Sequence, residues 1–175
     1  MKAPDIASLC DHPEWVAEVA RAHVAAFGAL LPDWTVEQAE AELRQQAGRD
    51  ALPLTWLATR AGQWLGSVSL LQNDHDDIRQ YSPWLASLYV KPEARAGGVG
   101  RALVWHCVRE AGRLRIARLH LYCTDAVAPF YASLGWQPHD RLLLGPMWVN
   151  VMAIVPPQHG PDDAGAGFDA ARRFG

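Results

Sequence analysis

The chain has 175 residues, half of them apolar and a fifth charged, with a formal net charge of -3. That profile fits one soluble domain around a single core. The weak acidity sets aside a general nucleic-acid binder, which would carry a basic field.

The opening MKAPDIASLCDHPEW lacks the apolar stretch of a signal peptide, and no apolar run approaches ~18 residues. A cytoplasmic protein with no membrane span is expected. Within the opening, Ile6 to Leu9 reads as a short strand. Asp11-His12-Pro13-Glu14 reads as a helix start, with Asp11 as the cap and Pro13 in the first turn. Val16, Val19, Ala20, His23, Val24 and Phe27 continue at helical spacing to Gly28. Thr35-Val36-Glu37-Gln38 is a second start with a capping box, and Val36, Ala39, Leu43 and Ala47 form its apolar stripe.

LTWLATRAGQWLGSVSLLQ reads as two strands around a turn at Arg60 to Gln63. NDHDDIRQYSP is a polar loop, and PWLASLYV is a strand opening on proline. The loop KPEARAGGVG then leads into a helical pattern from Val99 to Ala111. RLHLYC is the next strand, APFYASL a short helix closed by Gly135, WQPHD another strand, and Met147 to Val155 the last. Residues 1–155 form the expected domain. The Pro-, Gly-, Asp- and Ala-rich 156–175 reads as an extension outside it. The order β-α-α-β-β-β-α-β-α-β-β predicts an α/β layered sheet of mixed direction.

Three cysteines without a CxxC spacing read as buried thiols in a reducing compartment. Seven scattered histidines without zinc-ligand spacing predict no metal. Trp15, Trp56, Trp64, Trp105 and Trp136 all fall on apolar faces, which predicts core packing.

A glycine loop between a strand and a helix aims free amides and the positive helix end at one point. Gly97, Gly98 and Gly100 let an anion approach, and Arg95 and Arg101 add cationic reach. A pyrophosphate suits that chemistry; so does no ligand at all, since glycine turns often precede helices. No Gly-Lys-Ser/Thr follows and no GxGxxG is present, so neither nucleotide loop applies.

Arg95-Ala96-Gly97-Gly98-Val99-Gly100 matches the R/Q-x-x-G-x-G/A motif of the GCN5-related N-acetyltransferases (GNAT). Leu88-Tyr89-Val90 with Lys91-Pro92-Glu93 before it, and LYCTDAVAPFYASLGW after it, are also similar to that family. The resemblance covers about residues 4–155 and points to a bacterial branch of mostly unassigned substrate. It implies the acyl-CoA N-acyltransferase fold, with the fourth and fifth strands splayed, and acetyl-CoA as donor. Amides of Gly98, Val99, Gly100 and Arg101 would hold the pyrophosphate, with Arg95, Ala96 and Gly97 completing the loop. Leu88, Tyr89 and Val90 would pair with the pantetheine arm, and the Val90 amide would polarise the acetyl carbonyl.

Tyr131 aligns with the family's tyrosine and becomes the general acid for the leaving thiolate. Thr124 stands where the family often has a cofactor-binding asparagine, and Asp125 reads as a helix cap. No carboxylate occupies WLASLYV. His120 is therefore the nearest titratable candidate for the base, but a hydrogen-bonded strand histidine, with a water chain to solvent as the base, is the reading the residues favour. Asp74, Asp76 and Asp77 would draw a cationic amine to the acceptor mouth, or form a solvated loop. Trp34 and Tyr81 could line the acceptor pocket. The expected activity is acetyl transfer to a primary amine of a small molecule or peptide. The alternative is a CoA-binding regulatory module without turnover. Weak acidity disfavours a charged tRNA as acceptor. The resemblance leaves a homodimer open.

Overall fold

The structure, a computed structural model, describes residues 2–158. Its strands are β1 (Asp5–Ser8), β2 (Leu54–Arg60), β3 (Gln63–Leu71), β4 (Trp84–Val90), β5 (Leu119–Cys123), β6 (Gln137–Leu144) and β7 (Met147–Ile154). The α-helices are α1 (Val16–Phe27), α2 (Val36–Gln45), α3 (Val99–Arg113) and α4 (Ala128–Ala132). The expected extension from Pro156 lies, beyond Gln158, outside the described residues.

The strands form one sheet in the order β1-β2-β3-β4-β5-β7-β6. Every adjacent pair is antiparallel except β4 and β5, which run parallel. The β2–β3 turn places Ala61 and Gly62 at φ 50° and 74°. Two successive positive φ values match the right-handed twist of a hairpin, which is why a two-residue turn suffices here.

Strand alternation sorts the apolar residues onto two faces. Trp56, Ala58, Val68, Leu70, Leu85, Leu119, Leu121 and Met152 pack with Val104, Cys107 and Val108 of α3 and with Tyr131 of α4. On the opposite face Leu57 and Trp64 pack under α1 and α2 with Val16, Val19, Ala20 and Leu43. Further along that same face, Ile78 of the β3–β4 loop covers Trp84 and Val151. Lys91 Nζ, 2.6 Å from Glu18 Oε1 and 4.7 Å above the Trp64 ring, ties the end of β4 to α1.

The capping box at α2 forms as expected: Gln38 N donates to Thr35 Oγ1 at 3.2 Å, and Thr35 N to Gln38 Oε1 at 2.8 Å. The start expected at Asp11 does not form. Two 3₁₀ turns occupy Leu9–Asp11 and Pro13–Trp15, and α1 begins at Val16. Asp11 instead accepts from Arg49 at 2.7 Å, while Glu14 pairs with His12 at 3.0 Å. Trp105 also departs from expectation, being 45 % exposed on the outer face of α3. Cys107 and Cys123 are buried free thiols, and Cys10 is half-buried.

Candidate functional site

β4 and β5 register only at Trp84 opposite His120, where His120 N donates to Pro83 O at 3.0 Å. Beyond that point the strands share no further pairing, so a gap opens along the rest of β4. β4 also carries one extra residue. Ser67 pairs Tyr89 while Ser69 pairs Ala86, which leaves Ser87 and Leu88 opposite Val68 alone. Ser87 absorbs this bulge at φ 52°. Past the bulge, Lys91 N donates to Leu65 O at 2.8 Å. Antiparallel alternation then turns the N–H and C=O of Val90 away from β3 and into the gap.

The glycine loop closes the open end of that gap. Ala96 and Gly98 both adopt positive φ, 62° and 77°. Gly98 is the residue before α3 and supplies no side-chain cap. The first-turn amides, which have no intrahelical partner, are thus left for a ligand. A Cβ on Gly100 would stand 3.6 Å from both Val90 Cγ2 and Phe130 Cζ. The end of β4, the loop and α4 therefore meet at this residue. Arg95 folds back onto the strand, its Nε donating to Val90 O at 3.1 Å. Arg101 is exposed.

Tyr131 is 6 % exposed in the α3-side core, with ring centroids 5.1 Å from Phe130 and 6.1 Å from Trp136. Its hydroxyl makes no hydrogen bond among the described residues. Burial, and then the Cys123 and Cys107 thiols, push its pKa up, so the phenol keeps its proton.

His120 points to the other face, which alternation alone left undecided. Its ring lies 5.6 Å from Tyr81, 5.8 Å from Trp84 and 5.4 Å from His139. Its Nδ1 faces Pro83 O at 3.3 Å. Donation there leaves Nε2 as the acceptor. Burial lowers its pKa, against the raising effect of the Pro83 carbonyl, and so favours the neutral ring. The Tyr81 hydroxyl donates to Asp140 on β6. Asp74 faces the hydroxyl of Tyr122, and burial raises its pKa despite that contact. Tyr81, Asp74 and His120 thus gather on one face. Trp84, Tyr122 and His139 join them, and only the β5-β7-β6 order reveals it.

Other expected residues lie elsewhere. Trp34 packs beside the α1–α2 core, with Nε1 donating to Glu42 at 3.1 Å. Thr124 is exposed, and its carbonyl accepts from Val127 and Ala128 at the start of α4. Asp125 does not cap that helix. It accepts from Asn150 at 2.7 Å and from Arg141 at 3.1 Å, because both β6 and β7 reach it. Among the described residues, no group of three His, Cys, Asp or Glu could hold a metal, and no helix is long and apolar enough to cross a membrane.

A mixed sheet that opens between two parallel strands and ends on a glycine-lined helix start is the frame of an acyl-CoA N-acyltransferase. A sequence model of the Acetyltransferase (GNAT) family matches residues 15–136, and the chain belongs to that family. It is an acetyltransferase, a class whose donor is acetyl-CoA. No curated protein matches the sequence. Solved structures similar to it include the ribosomal-protein-S18-alanine N-acetyltransferase from Escherichia coli, at 20 % identity and TM-score 0.62, covering 90 % of this chain and 97 % of that one. Another is yncA from Salmonella typhimurium, solved with its cofactor acetyl-CoA, at 18 % identity and TM-score 0.66, with 93 % and 99 % covered. A third is an aminoglycoside 6'-N-acetyltransferase complexed with coenzyme A, at 12 % identity and TM-score 0.70, with 89 % and 99 % covered.

Proposed function

We propose that the protein moves the acetyl group of acetyl-CoA to a primary amine, with Tyr131 as general acid and His120 as base. The observation that carries this is the outward turn of Val90 into the β4–β5 gap beside an uncapped, glycine-lined helix start. Acetyl-CoA supplies the activated thioester. The first-turn amides of α3 hold its pyrophosphate, and Leu88 to Val90 run alongside its pantetheine arm. The Val90 amide stabilises negative charge on the carbonyl oxygen. The neutral amine nitrogen bonds to the carbonyl carbon and the carbon–sulfur bond breaks. Tyr131 gives its hydroxyl proton to the departing sulfur, and the amine proton leaves through a chain of waters that ends at Nε2 of His120, at the apex of the gap.

The acceptor side carries Asp74, Tyr81 and Asp140, and the Asp140 carboxylate, held in its charged form by the Tyr81 hydroxyl, favours a cationic amine arriving at that face. Trp34 stands apart from these residues and contributes only if the acceptor reaches the α1–α2 connection. The test is release of free CoA thiol from acetyl-CoA with a panel of primary amines, alcohols and thiols as acceptors. Transfer confined to amines, and strongly reduced in Tyr131→Phe, supports the reading. CoA binding without transfer to any amine, together with indifference to Tyr131→Phe, would favour a CoA-binding regulatory module.

A further inference from the structure

Trp105 is a large aromatic side chain on the water-facing side of α3, 45 % exposed, with no hydrogen bond or ring contact among the described residues. Its neighbours make it more than a stray surface apolar group. Arg101 and Arg109 stand four residues before and after it, on the same helical stripe. Arg101 forms no hydrogen bond or ion pair among the described residues. Arg109 donates to His106 Nδ1 at 3.0 Å. The nearby Glu110 is taken by Arg113 at 2.8 Å, so no carboxylate neutralises the stripe.

The stripe also has a definite side. His106 marks the β2 flank of α3, its ring 5.0 Å from Trp56. Gly112 marks the other flank, where a Cβ would stand 2.0 Å from Pro157 O just beyond β7. On a helix of 3.6 residues per turn, Trp105 lies about 20° from Gly112 and about 40° from Arg101. It therefore looks outward and towards the β5–β7 end, while Gly100, about 140° round the helix, meets Phe130 and Val90 on the sheet side. Along the axis it stands about 6 Å below Arg101. Helical side chains lean towards the N-terminus, so its indole slants back towards the first turn.

We propose that Trp105 is the platform for the adenine ring of the acyl-CoA donor and sets the enzyme's preference for the full nucleotide over shorter pantetheine thioesters. The inference rests on the reading that the first-turn amides hold the pyrophosphate. From that point the base is one ribose away, and a flat, electron-rich ring one helical turn after Arg101 suits a planar base joined to phosphates. A donor lacking the nucleotide makes no use of this surface.

The test is equilibrium binding of CoA, dephospho-CoA and 4'-phosphopantetheine to the full chain, by calorimetry, for wild type, Trp105→Ala and Trp105→Phe. Trp105→Ala should weaken CoA and dephospho-CoA about tenfold and leave phosphopantetheine unchanged. Trp105→Phe should keep most of the affinity. Equal losses for all three compounds, or no loss for any, overturn the proposal, as does a change in sedimentation with CoA affinity intact. A wild-type chain that binds none of the three overturns the donor reading itself. Binding of all three by wild type with no effect of Trp105→Ala overturns only the role of Trp105.

Discussion

Trp84 and His120 face each other at the single point where β4 and β5 register, with ring centroids 5.8 Å apart. The pair forms the apex of the wedge. The backbone amide of His120 is held by Pro83 O at 3.0 Å, and Trp84 is fully buried against Tyr122 and Tyr81. Trp84→Ala would remove the indole from under the apex. We expect a loss of about 3–5 kcal/mol in unfolding free energy, measured in urea, with weaker CoA binding in the folded fraction. Trp84→Phe should restore most of both.

Tyr131→Phe removes only a hydroxyl that bonds to nothing in the described structure. Stability should change by less than about 1 kcal/mol, while kcat falls by about 10² or more, the size of a lost proton donor. Because burial raises the phenol's pKa, wild-type activity should show no alkaline limb from this residue below pH ~10. A limb near neutrality that disappears in Tyr131→Phe would contradict the assignment.

Burial lowers the pKa of His120, so as a base it stays ready below the ordinary histidine value. The acid limb of kcat/KM should therefore lie below pH ~6.5. His120→Asn should abolish that limb and lower the rate across the whole range. An unchanged limb would pass the role to water.

What the sequence disclosed follows the range of the forces involved. The capping box at Thr35, the two-residue turn at Ala61-Gly62 and the glycines before α3 act within a few residues, and each appears where expected. Asp11 and Asp125 carried the local signature of caps, but Arg49 lies 38 residues from the first, and Asn150 25 residues from the second. A tertiary partner overrode each local preference. Nothing in WLASLYV marks the bulge at Ser87, because the surplus residue exists only relative to β3. The place of Tyr131 on α4 and of the loop before α3 was legible through their motif. The meeting of His120, His139 and Tyr81 depends on β7 entering the sheet between β5 and β6. Trp105 was misjudged by residue type alone, although its spacing from Arg101 and Arg109 placed it on a charged stripe.

Gly100→Ala tests the cradle without disturbing the fold. The new methyl would sit 3.6 Å from Val90 Cγ2 and Phe130 Cζ, an ordinary contact, and alanine favours a helix over glycine. The melting temperature should hold or rise slightly. The methyl would nevertheless stand beside the amides assigned to the pyrophosphate. We expect KM for acetyl-CoA to rise about tenfold, a loss of about 1.4 kcal/mol in donor binding, with KM for the amine little changed. Unchanged donor affinity would remove the first turn of α3 from the site.

His23 gives the protein a pH dependence of stability with a defined sign. It is 3 % exposed on the inner face of α1, its Nε2 2.9 Å from Ser67 Oγ and its ring 6.1 Å from Tyr89. Burial lowers its pKa from 6.5 to about 4. In the unfolded chain the same ring takes a proton near pH ~6.5. Between these values the unfolded state binds a proton that the folded state refuses, so stability falls as pH drops from 6.5 to about 4 and is unaffected by this group above that window. His106, whose pKa burial also lowers to about 4, acts in the same direction. Between pH 7 and pH 5, His23 alone should cost about 2 kcal/mol of unfolding free energy. His23→Gln, which keeps a polar partner for Ser67, should reduce the measured drop by about that amount. Urea denaturation at the two pH values decides it: an equal drop in wild type and variant would mean that the imidazole is protonated inside the fold.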